Sequence, residues 1–148
     1  MNELQSAQAV LGLISSHALA RCVHVIAEAG VADALADESA SASELAKSCG
    51  LNADALYRML RLLSAHGVFA QDGDRYLHTS ASRLLRSDHP YSLRAYARMI
   101  GMPVIWDGFT HLDAPARTGK PALDWAGLVH YFAEHPEEAN LFNQAMVG

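Results

Sequence analysis

The stretch from Glu3 to Glu28 restricts this chain most, because it is helix-forming and apolar on every side. Leu4, Leu11, Ala18 and Val25 fall on one heptad line, with Ala7 and Ile14 beside it. Val10, Leu13, Ala20 and Val23 populate the opposite side. A helix that is apolar all round needs cover on more than one face. A chain of 148 residues has little cover to offer, so a second copy is the natural source. One face is expected to pack on the rest of the domain, leaving Leu4, Ala7, Leu11 and Ile14 as the seam of a homodimer. Replacing Leu11 and Ile14 together by Asp is then expected to unfold or aggregate the protein. Gly30 ends the helix, and Val31 to Ala36 form a short second one.

The apolar runs in this stretch are short. Leu11 to Ile14 is followed by Ser15, Ser16 and His17, so no segment is expected to span a bilayer. Met1-Asn2-Glu3 lacks the basic start of a signal peptide. A cytoplasmic protein without a membrane partner is the expectation. Cys22 and Cys49 have no metal-binding spacing and read as small buried hydrophobes.

Residues 39–86 carry the clearest local pattern. Ser41-Ala42-Ser43-Glu44 supplies an N-cap and an early acid, and Leu45 and Ala46 are the apolar positions of a short helix. Cys49-Gly50-Leu51 turns the chain. Asn52 caps a second helix with Leu56, Met59, Leu60 and Leu63 on its inner face, and Gly67 ends it. Val68 to Gln71, a turn Asp72-Gly73-Asp74, and Arg75 to His78 read as a β-hairpin. Thr79 or Ser80 caps a further helix through Leu84 and Leu85. The whole is a winged helix-turn-helix.

The remainder is helical again. Leu93 to Ile100 is amphipathic, Gly101 and Pro103 break it, and Val104 to Leu112 resumes it. Gly119-Lys120-Pro121 is a loop. Glu134-His135-Pro136 opens a last helix, with Pro136, Glu137 and Glu138 at favourable first-turn positions. That helix stops at Met146-Val147-Gly148 without a cap, which reads as a cut. The fold class is mainly α with a small β-hairpin: a winged helix-turn-helix core flanked by long dimerisation helices.

Several chemistries are excluded or demoted. The formal charge is −5, and no stretch has the Lys/Arg density that phosphate neutralisation needs. The helix that would enter a DNA groove offers only Arg58 and Arg61, and the wing tip sets Asp72 and Asp74 against Arg75. Nucleic acid is therefore not an expected partner, and a winged-helix regulator is the weakest of the readings. The eight histidines form no metal site and read as surface or interface residues. His17 and His24 share one helix face, and His111 has no nucleophile near it in sequence. No two glycines are spaced Gly-x-Gly, and no βαβ alternation is present to hold a nucleotide turn. No cofactor, catalytic residue or metal ligand is expected in this chain.

The stretches Gly30-Val31-Ala32-Asp33-Ala34-Leu35, Ser43-Glu44-Leu45-Ala46 and Leu56-Tyr57-Arg58-Met59-Leu60-Arg61-Leu62-Leu63 point to a family. So do Gly67-Val68-Phe69, Thr118-Gly119-Lys120-Pro121-Ala122, and Glu134-His135-Pro136-Glu137 leading into Leu141-Phe142-Asn143-Gln144-Ala145-Met146. In this order they resemble the N-terminal domain of the plant-type, caffeate-like O-methyltransferases and their bacterial polyketide-tailoring relatives. The resemblance implies one dimerisation domain over residues 1–148, with the winged helix at 39–86 and dimerisation and pocket helices at 1–38 and 90–148. It implies an interlocked homodimer, and S-adenosylmethionine bound by a catalytic domain that is absent here. It further implies that Met99, Ile105, Phe132, Phe142 and Met146 line the pocket of a small-molecule acceptor shared with that domain. A stand-alone dimeric ligand-binding or cyclase-like domain is the alternative.

Overall fold

The computed structural model describes residues 2–122 and 124–147. Helix α1 (Glu3–Ala29) starts at a capping box, in which the Asn2 side chain accepts from the Gln5 amide at 2.9 Å and Gln5 returns the bond. It ends at Gly30, which adopts the left-handed conformation at φ 70°. Helix α2 (Val31–Leu35) follows at once. Strand β1 (Ala40–Ser41) leads into α3 (Ala42–Cys49), a turn at Gly50, and α4 (Ala53–Ala65). Strands β2 (Phe69–Asp72) and β3 (Arg75–His78) form the hairpin, and α5 (Ser80–Arg83) is a single turn. Helices α6 (Arg94–Ile100), α7 (Pro103–Thr110), α8 (Asp113–Thr118), α9 (Trp125–Glu134) and α10 (Pro136–Val147) complete the chain.

Two features of the sheet differ from expectation. Asp72 pairs with Arg75, so the hairpin turn has two residues, Gly73 and Asp74, and β2 is shifted by one residue, starting at Phe69 and ending at Asp72. A third strand, β1, adds antiparallel to β3, giving the order β1-β3-β2. Two residues carry no alternation by which a strand could be recognised. The last helix of the 39–86 segment is also shorter than expected, because Leu84 already caps it.

The main core gathers Ile26, Val31, Leu35, Leu45, Leu56, Leu60, Leu63, Phe69, Tyr76, Leu85 and Ala97, all buried. Met59, expected with them, is only half-buried. A second cluster centres on Met99, Met102 and Leu141. Helix α6 joins the two, because it packs on both α1 and α10. Its cations complete the end of α1, which has no basic residue in its own last turn. Arg94 Nε donates to the Ala27 carbonyl at 2.9 Å and the same side chain reaches Asp33 at 3.0 Å. Arg98 binds Glu28 at 2.7 Å. Positive charge against the last carbonyls of a helix offsets its negative end.

The first helix departs from the premise that its apolar runs are too short to span a bilayer. Over its most apolar window α1 has a mean hydropathy of 1.6 and is long enough to cross a bilayer by length and composition. Ser15, Ser16 and His17 interrupt the apolar run without lowering the average of the window below that mark.

Candidate functional site

The amino-terminal half of α1 stands clear of the body. Leu4, Leu11 and Ile14 are each more than 60% exposed, and Ala7 is exposed beside them. On the opposite side, where packing is expected, only the later residues Ala20 and Val23 are half-buried. Val10 and Leu13 are exposed as well, Leu13 at 75%. The core begins only around Leu19, Cys22 and Val23, and residues 7–18 are all exposed. Cys22 and Cys49 are free and half-buried, and burial raises both thiol pKa values.

Four of the five residues expected at an acceptor pocket meet in the second cluster. Met99 is buried, and Ile105, Phe132 and Phe142 pack against it and its neighbours. The Phe132 and Phe142 rings lie 5.1 Å apart. Met146 stands apart at 63% exposure, one turn beyond Phe142 on α10.

Beside this cluster, α1 and α7 form a polar-aromatic centre that the sequence patterns did not disclose. His24 is buried and meets the Trp106 ring edge-on at 5.3 Å. Arg21, one turn earlier, lies over the same indole at 5.0 Å. Its Nη1 donates to the Gly101 carbonyl at 3.0 Å and lies 3.4 Å from His24 Nδ1. Burial, and then the adjacent Arg21 charge, lower the His24 pKa and so favour the uncharged ring. This corrects the reading of every histidine as a surface or interface residue: His17 is exposed, but His24 on the same face is buried within the chain. The spacing of Arg21 and His24 puts them together on α1, but Trp106 reaches them from 82 residues further on, beyond any local pattern.

Arg21, Gly101, Pro103, Val104, Trp106 and Tyr131 are among the walls of a cleft of about 600 Å³. A neighbouring cleft of about 500 Å³ runs along Ser16, His17, Ala20 and Phe109. His111 lies on the rim of the first, with Nε2 3.5 Å from Asp107, and both side chains are exposed. Among the described residues no group of three metal-ligating side chains converges. The described strands form one small antiparallel sheet, which does not fit the parallel-strand cradle and Gly-rich turn that a methyl-donor nucleoside uses.

The model of the O-methyltransferase dimerisation domain matches residues 11–88. O-demethylpuromycin-O-methyltransferase of Streptomyces alboniger is 31% identical over 141 residues, which are 93% of this chain and 37% of that protein. A 2,7-dihydroxy-5-methyl-1-naphthoate 7-O-methyltransferase of Streptomyces carzinostaticus is 39% identical over 68% of this chain and 31% of its own length. Among solved structures, a mitomycin 7-O-methyltransferase superposes with a TM-score of 0.87 at 30% identity, over 97% of this chain and 44% of that one. The chain thus spans well under half of each of these relatives. Since the family match runs from the exposed half of α1 through the whole helix-hairpin segment, the chain belongs to the O-methyltransferase dimerisation domain family.

Proposed function

We propose that this chain is the dimerising and acceptor-lining part of a small-molecule, S-adenosylmethionine-dependent O-methyltransferase, and that it does not transfer methyl groups by itself. One observation carries this: the first half of α1 is apolar on all sides and has no cover from its own chain. Exposed apolar surface on that scale exceeds what monomers ordinarily present. The occupant is a second copy, as the family description implies. Residues 1–148 act as one unit, with Met99, Ile105, Phe132, Phe142 and Met146 on the acceptor side and Leu4, Ala7, Leu11 and Ile14 in the seam.

Helices α3 and α4 with the hairpin serve as a winged-helix scaffold, not a DNA reader. The two-residue turn at the wing tip holds Asp74 and follows Asp72, so two acids stand against Arg75 there, and α4 turns Arg58 and Arg61 to solvent without further cations. The acceptor is an aromatic hydroxyl compound, in keeping with the naphthoate in one relative's name. The methyl donor is assigned to the parent enzyme, since the sheet among the described residues is small and antiparallel.

Sedimentation equilibrium tests the assembly. A homodimer at micromolar concentration is the expected result, because seams of this kind commonly bury more than about 2,000 Å². A stable monomer would remove the basis of the proposal. A monomer that pellets with phosphatidylcholine vesicles would assign the apolar helix to a membrane instead.

A further inference from the structure

We infer that the cleft beside Arg21 is a carboxylate-reading subsite, seating the acidic end of an aromatic ligand on the free edge of the guanidinium. The inference rests on the acceptor-lining reading above and adds a charge requirement to it. Arg75, Arg83, Arg86, Arg94 and Arg98 each have a carboxylate within 3.4 Å. Arg58, Arg61 and Arg117 are exposed to solvent. Arg21 is different: it is half-buried, it lines a cleft, and no acid pairs with it among the described residues.

Its orientation is also set. The Gly101 carbonyl and His24 Nδ1 both engage Nη1, while the Trp106 ring supports the guanidinium from one side. Nε and Nη2 have no hydrogen-bond partner among the described residues. Those two donors form the edge that accepts a carboxylate bidentately. No carboxylate pairs with this half-buried cation among the described residues, although Glu28, Glu137 and Glu138 border the adjoining cleft. An anion entering beside Pro103 and Val104 would compensate its charge directly. Pro103, Val104 and Tyr131 supply apolar wall for a ring attached to that anion. Asp107 shares the cleft, but it faces His111 on the rim.

The probes are 1-naphthoate and its neutral counterpart 1-naphthol, titrated calorimetrically into the chain, with the association state measured on the same samples. The wild-type protein is expected to prefer 1-naphthoate. Arg21→Gln should weaken 1-naphthoate about tenfold or more and leave 1-naphthol within about threefold, the difference a charge-assisted pair makes. Arg21→Lys keeps the charge but not the edge, so it should lose several-fold of the naphthoate affinity, and it decides the matter if the Gln variant does not fold. A wild-type dimer that leaves 1-naphthoate unbound at about 1 mM overturns the subsite while the dimer reading stands. Equal loss of both probes in Arg21→Gln, or unchanged naphthoate affinity in the folded Gln or Lys variant, also overturns it. A monomeric wild type counts against the dimer, whatever it binds.

Discussion

Gly101 leaves almost no space between α6 and α1. A Cβ there would lie 2.7 Å from His24 Cβ and 3.0 Å from Cγ, against the root of a side chain that cannot swing away. Its backbone is ordinary right-handed helix, so the cost of an alanine is steric alone. Gly101→Ala is expected to destabilise the fold by about 1–3 kcal/mol, the usual cost of overpacking, read as a lowered thermal midpoint. An unchanged midpoint would show that α6 has slack which the contact with His24 does not reveal.

The two inward histidines set a pH dependence. His78 Nε2 faces the Ala32 carbonyl at 3.1 Å and Nδ1 faces Ser82 Oγ at 2.8 Å. Burial is the largest cause lowering its pKa, with Arg83 next, and His24 is lowered by burial too. The unfolded chain therefore takes up protons near the ordinary 6.5 while the folded chain still resists them. Stability is full above that value and declines as pH falls below it. Asp37, Glu44 and Asp88 have lowered pKa values through hydrogen bonds, to Arg83, to Ser41 and to Arg86 respectively. Their stabilisation is lost only at more acid pH, below the ordinary carboxylate values. Urea midpoints taken from about pH 7.5 to about pH 5.5 should fall, and a flat profile would contradict neutral burial of both rings.

At the scale of elements, Ser41 ties a strand to a helix. Its backbone pairs with Arg75 in β3, its Oγ accepts from the Glu44 amide at 3.2 Å, and Glu44 Oε2 accepts from the Ser41 amide at 2.7 Å. Arg75 Nη1 reaches the same carboxylate at 3.4 Å, with both groups largely exposed. The capping box is the stronger part, since an exposed ion pair adds little. Ser41→Ala should cost about 1 kcal/mol in urea unfolding. A loss indistinguishable from zero would mean that packing of Leu45 and Ala46 alone holds α3. The cap was readable from Ser41 and Glu44, whereas the pairing with β3 was not.

At the scale of the whole molecule, both apolar clusters close without residues 4–14. This changes the expectation for Leu11→Asp combined with Ile14→Asp. The variant should remain folded and become monomeric, because the charges enter a seam between chains and not the core of one. Circular dichroism with sedimentation equilibrium checks it. A variant that stays dimeric would put the seam elsewhere, and one that unfolds would show that the seam and the core are a single cooperative unit.

What the sequence determined by itself was the hairpin, the helices up to Leu112 and the last one, together with the family, whereas α8 and α9 were not read from it. Caps, left-handed glycines and the Leu56, Leu60, Leu63 spacing act over a few residues, so they are legible in order along the chain. The excess of apolar surface on α1 was legible for the same reason. Tertiary structure alone decided which faces stay bare, that His24 is buried while His17 is not, and that Met146 parts from Phe142. It also decided that Arg21 meets Gly101 and Trp106. Those outcomes depend on where distant helices cross, and packing across 80 residues leaves no local periodicity to read.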